Sequence, residues 1–136
     1  MAFTTNPESP PDVAVLLAED DPHIRRVTVV ALERCGFSVQ AVADGAEALQ
    51  LLEDDLPDVV ILDGMMPKLD GVETCRRIRS DPRLSRLVVI MLSARSQDVD
   101  EAAGLRAGAD AYIKKPFDAL TLGAQVRDIL ARLEAA

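Results

Sequence analysis

Three short apolar runs, VAVLLA (13–18), VVIL (59–62) and VVIML (88–92), constrain this chain more than any other feature. Each is continuous, rich in branched residues and about as long as one strand. A strand that is apolar on both faces must be covered on both faces. VQAVA (39–43) and AYI (111–113) are weaker runs that complete the spacing to five strands. Between the runs lie helical patterns. Ile24, Val27, Ala31 and Leu32 recur at helical intervals, and Gly36 supplies a left-handed stop. Asp44-Gly45 opens a second helix bearing Ala48, Leu49 and Leu52, and Asp70-Gly71 opens a third bearing Val72, Cys75 and Ile78. Residues 96–107 read as a fourth, stopped by Gly108. Asp118 caps a fifth, striped by Leu122, Val126, Ile129, Leu130 and Leu133.

Alternating strands and helices require parallel strands joined by right-handed crossovers, and therefore an open sheet with helices on both faces. The expected fold class is α/β, a (βα)₅ unit of the flavodoxin-like kind with a five-stranded parallel sheet in the order 2-1-3-4-5. In that order strands one and three are neighbours, and the crevice at their carboxyl ends is the expected site.

A chain of 136 residues that is 49% apolar fills one core of ordinary size. Residues 1–11 are polar with three prolines and read as a flexible tail, which leaves 12–136 as the single domain. The net charge of −8 and a pI near 4.6 argue against a nucleic-acid or anionic-membrane surface. The expected partners are proteins or metal ions, with no direct nucleic acid binding. No window approaches the roughly 20 apolar residues of a membrane span. Cys35 and Cys75 lie inside helical patterns without metal-ligand spacing, as reduced core thiols of a cytoplasmic protein do.

The carboxyl edge of such a sheet gathers a specific set of side chains. Glu19 and Asp20 follow strand one, Asp63 ends strand three, Ser93 ends strand four and Lys115 follows strand five. Clustered carboxylates cannot all ionise in a partly desolvated pocket without compensation, and a divalent cation supplies it. Magnesium suits, because it takes one or two carboxylates, keeps several waters and often adds a phosphate oxygen. Gly64 leaves the approach to Asp63 open, so that its carboxylate can attack a phosphoryl group and form an acyl phosphate. Lys115 and Ser93 can then donate to the phosphoryl oxygens. Elsewhere, RRIR (76–79) reads as a solvated helix face, His23 as a surface residue at a helix start, and Asp21 as the cap before Pro22.

Across residues 12 to about 133 the sequence resembles the receiver domain of bacterial two-component response regulators, in LLAEDDP, VVILDGMMPKLDG, VIMLSA, GLRAGADAYIKKPF and the last amphipathic helix. The resemblance implies that Asp63 accepts a phosphoryl group from a histidine kinase or phosphotransfer protein. By the same likeness Asp20 and Asp63 ligate Mg²⁺, Glu19 holds it through water, and Met65 offers its backbone carbonyl. Ser93 and Tyr112 form the switch pair, and Lys115 pairs with a phosphoryl oxygen. The implied output is a changed surface on the fourth helix, fifth strand and fifth helix, read by a protein target. Glu101, Ala111, Thr121 and Gln125 differ from the residues that form intersubunit salt bridges in the winged-helix subfamily. A monomer or a weak phosphorylation-dependent dimer is therefore expected. Two other classes are weighed: a magnesium-dependent phosphohydrolase with Asp63 as nucleophile, and a phosphorylation-independent binding module. The first wants a second Asp where the chain has Met65. The intact set of Glu19, Asp20, Asp63, Ser93 and Lys115 argues against the second.

Overall fold

The computed structural model describes residues 13–63, 66, 69–93, 105–114, 118 and 120–135. Five strands, β1 (Ala14–Ala18), β2 (Ser38–Val42), β3 (Val59–Asp63), β4 (Val88–Ser93) and β5 (Ala111–Lys114), form one parallel sheet in the order β2-β1-β3-β4-β5. The order is the one expected from the sequence. The central strand β3 is buried along its whole length, whereas every residue of the edge strand β2 is only half-buried. That difference explains why VVIL was easy to read and VQAVA was not.

Helices cover both faces, and they divide the core in two. α1 (Pro22–Arg34) and α4 (Leu122–Ala135), the fifth helix of the sequence reading, pack over one face with Val15, Leu17, Val59, Ile61, Ile90 and Leu92. α2 (Gly45–Leu52) and α3 (Gly71–Ser80) cover the other with Leu16, Ala18, Val60, Leu62, Val89 and Met91. Alternate residues of one strand thus enter opposite clusters, as the period of two requires. The caps fall where the sequence placed them. Asp21, Asp44 and Asp70 precede α1, α2 and α3, and each accepts from a backbone N–H of the first turn. Gly36, at φ 90°, ends α1 with the Gly36 N–H on the Glu33 carbonyl and the Phe37 N–H on that of Leu32. Asp118 accepts from the N–H groups of Leu120, Thr121 and Leu122 and so leads into α4. The fourth helix expected at 96–107 lies outside the described residues except for its end, where Leu105 and Arg106 are helical and Gly108 turns at φ 109°.

Some expectations change in detail. The buried stripe of α1 is Thr28, Ala31 and Leu32, while Val27 and Val30 are exposed. Thr28 is accommodated because its hydroxyl donates to the Ile24 carbonyl one turn back (2.6 Å). Met66 is core, whereas Cys35 is only half-buried at the α1–α4 seam, where a side chain on Gly123 would collide with its sulfur. Cys75 is buried, and desolvation pushes its thiol up.

RRIR divides. Arg76 and Arg77 pair with Glu73 on the surface, as a solvated face should. Arg79 does not join them. Its guanidinium reaches the Gly108 carbonyl (2.8 Å), the Leu87 carbonyl (2.7 Å) and the Asp110 carboxylate (2.6 Å), and Asp110 also accepts from the Val89 N–H (2.9 Å). One side chain therefore ties the end of α3 to the entry of β4 and to the turn before β5. Arg79→Ala removes a donor from the Gly108, Leu87 and Ser85 carbonyls and the cationic partner from Asp110, and is expected to cost about 2–4 kcal/mol. The exposed control Arg76→Ala should cost less than about 1 kcal/mol. Urea denaturation of the two variants checks this, and equal midpoints would contradict the clamp.

Candidate functional site

β1 ends at Ala18, but the next N–H, that of Glu19, still donates to the Val42 carbonyl of β2 (3.1 Å). Glu19 is thereby held against the sheet and is 1% exposed, whereas Asp20 beside it is exposed. Asp63 closes β3 at 4% exposure. Because β1 and β3 pair directly, with Ala18 opposite Leu62, the two strand ends lie side by side. One carboxylate oxygen from each of Glu19, Asp20 and Asp63 lies within 4.8 Å of the others. At an effective dielectric of about 20, two buried carboxylates so placed repel by roughly 3 kcal/mol or more. A divalent cation offsets that. The donors are hard oxygens, and the exposed side of Asp20 leaves room for water ligands, which fits Mg²⁺.

The third acid of the opening triplet has a different task. The Asp21 carboxylate accepts from the His23 N–H (2.8 Å) and the Ile24 N–H (3.1 Å), and Pro22 occupies the first helical position. His23 is exposed at that helix start. Around the pocket, backbone register brings Ser93 to the same edge: Asp63 pairs with Leu92, and Ser93, one residue on, pairs with Lys114. Lys115, Met65 and Gly64 lie outside the described residues, as does Glu101. Tyr112 pairs with Met91 in the register of β4 and β5 and packs, partly buried, against the α2–α3 side of the core. Tyr112 also lines a cavity of about 320 Å³ with Leu105, Ile129, Arg132 and Leu133.

Two residues at the site went unread in the sequence. Arg25 donates from Nη1 to the Glu19 carbonyl (3.0 Å). Gly71, read only as part of a helix-opening Asp-Gly, packs its bare Cα on the backbone of Asp63; a Cβ there would collide with the Asp63 carbonyl and crowd the Met91 sulfur. The Asp-Gly pair was the available signal, but it does not say what lies behind the helix start.

Comparison with known proteins agrees with this geometry. The sequence matches the profile described as the response regulator receiver domain over residues 15–127. The chain belongs to that family. It is 51% identical over 118 residues to the transcriptional regulatory protein CseB of Streptomyces coelicolor, covering 87% of this chain and 49% of that protein. It is 39% identical over 120 residues to RpaA of Synechocystis, described as a DNA-binding dual master transcriptional regulator, covering 88% and 50%. The chain thus spans about half the length of these relatives. Among solved structures, the receiver domain of the sensor histidine kinase PA1611 from Pseudomonas aeruginosa, which has a magnesium ion coordinated in its active-site cleft, superposes with a TM-score of 0.80. Its sequence is 32% identical, and the match covers 92% of this chain and 99% of that one.

These relatives correct one expectation. No direct nucleic acid binding was inferred from the net charge, with partners limited to proteins and metal ions, yet RpaA is described as DNA-binding and CseB as a transcriptional regulatory protein. The physical reason is that the charge of one acidic segment describes that segment's surface alone. In relatives twice as long it says nothing about the remaining half. Membrane insertion is a separate matter: among the described residues no helix is long and apolar enough to cross a bilayer.

The contact behind Asp63 is directly testable. Gly→Ala within a helix ordinarily gains up to about 1 kcal/mol. Gly71→Ala should instead lose about 1–3 kcal/mol, because the backbone carrying Asp63 must shift. Denaturant titration checks the sign, and a stabilised variant would refute the contact.

Proposed function

We propose that this chain is a phosphorylation-driven switch in which Asp63 takes a phosphoryl group from the phosphohistidine of a histidine kinase. The observation that carries the reading is the set of three carboxylates, two of them buried, at the β1–β3 edge of a receiver fold. In the transfer an Asp63 oxygen forms a bond to phosphorus as the P–N bond to the donor imidazole breaks, and the departing nitrogen takes a proton. Hydrolysis reverses the state: water attacks phosphorus and the Asp63 carboxylate leaves. Bound Mg²⁺ would supply positive charge to offset that of the phosphoryl oxygens. Asp20 and Asp63 would hold it directly, Glu19 through water, and Met65 through its carbonyl. Lys115 and Ser93 would donate to the phosphoryl oxygens. The chain modifies only itself and has no separate substrate, so it acts as a switch and not as an enzyme. We assign 12–136 to the receiver unit, 1–11 to a tail, and the cytoplasm as its location.

A donor histidine must come within bonding distance of Asp63, so part of the donor's surface has to cover the rim. α1 presents a suitable face beside the pocket. Val27 and Val30 are exposed, Leu120 is 85% exposed, and they border a cavity of about 390 Å³ edged by His23, Arg26 and Arg34. Output would run from Ser93 to Tyr112, whose ring would move toward the core as the Ser93 hydroxyl turns to the phosphoryl group. A shift of a few kcal/mol between two states suffices to make a minor conformation the major one.

Acetyl phosphate with Mg²⁺ is expected to label the protein, and EDTA or Asp63→Asn to reduce labelling to background. Label that persists in Asp63→Asn would sink the reading. The chain has one tyrosine and no tryptophan, so its tyrosine emission reports on Tyr112 alone. Phosphorylation should change that emission in the wild type and leave it unchanged in Asp63→Asn. An unaltered signal in fully phosphorylated wild type would remove Tyr112 from the switch.

A further inference from the structure

We propose that Arg25 is a positioning residue of the divalent-cation pocket, holding the Glu19–Asp20 peptide in the orientation that presents both carboxylates to the ion. This rests on the reading that Glu19, Asp20 and Asp63 bind Mg²⁺. Glu19 is fixed from three sides. Its N–H donates to Val42 of β2 (3.1 Å), its carboxylate accepts from the Asp21 N–H (3.2 Å), and its carbonyl accepts from Arg25 Nη1 (3.0 Å). The carbonyl bond is the informative one. The Glu19 carbonyl and the Asp20 N–H share one rigid peptide plane, so holding the oxygen fixes the backbone torsions on either side of it. Those torsions aim the side chains of Glu19 and Asp20.

A cation beside three carboxylates is attracted to them, but by charge alone it competes with a metal ion for the same compensation. A positive charge in the first turn of a helix opposes the helix dipole, and a positive charge beside a metal pocket repels the metal. The guanidinium is instead directed at a backbone carbonyl, an arrangement that leaves the carboxylate oxygens of the pocket to other partners. Arg26, the next residue on α1, is exposed and carries the same charge, so it separates the effect of the hydrogen bond from that of the charge.

The two accounts predict opposite signs. If Arg25 positions the peptide, removing its donors weakens Mg²⁺ binding; if it acts only by charge, removing it tightens binding. Mg²⁺ affinity is measured by calorimetry on the whole chain, with melting temperature recorded in EDTA. Arg25→Met, which keeps much of the aliphatic stem, is expected to weaken Mg²⁺ by about 10-fold or more, the usual effect of losing an outer-shell partner. Arg26→Ala should stay within about 2-fold or bind slightly tighter by the same electrostatic argument. A purely structural role would lower the melting temperature in EDTA and leave the Mg²⁺ affinity unmoved. Should Arg25→Met fail to fold, Arg25→Lys carries the test: it keeps the charge but loses the planar fork, and weakened binding is again expected. Wild-type-like or tighter Mg²⁺ binding by a folded Arg25 variant overturns the proposal while leaving the metal site intact. Absence of Mg²⁺ binding by the wild type overturns both.

Discussion

The pairing of β1 with β3 is the constraint on which the site depends. It places the end of one buried strand beside the end of another, so Glu19 and Asp63 must share a pocket whatever the loops around them do. Two carboxylates at 1% and 4% exposure would be costly in a core designed only for stability. They are tolerated because the sheet beneath is apolar on both faces and packed by helices on each. Its rigidity holds the acids at a distance that a cation can bridge.

The same packing reaches the far edge of the sheet. Gly71 lets α3 lie directly against the Asp63 backbone, and the other end of α3 carries Arg79, which grips the turn before β5. A single helix therefore touches both the backbone of Asp63 and the approach to the strand that holds Tyr112. α3 is thus held at both ends, by the close backbone contact at Gly71 and by the hydrogen bonds of Arg79.

Much of this was legible in the sequence because burial on both faces leaves continuous apolar runs, and because Asp caps and Gly stops are local chemistry. The half-buried edge strands were less clear, since β2 and β5 face solvent in part and need fewer apolar residues. Thr28 was missed because its hydroxyl is satisfied within its own helix. Arg79 was misread for a different reason. Its neighbours Arg76 and Arg77 do belong to a solvated face, and only the path of the chain reveals that Gly108, Leu87 and Asp110 come within its reach. Glu19, Asp20 and Asp63 were found from spacing, while the hydrogen bond from Arg25 is a fact of side-chain direction that spacing does not encode.

The mistaken inference about nucleic acid follows the same logic. Net charge is a property of a surface, and it carries over to function only where that surface is the one that binds. In this chain the acidity is partly accounted for by the pocket itself and by the aspartates that cap its helices. Those groups serve the fold, as helix caps, and gather at the strand ends. The chain's charge therefore carries no information about the ligand of any segment to which it is joined.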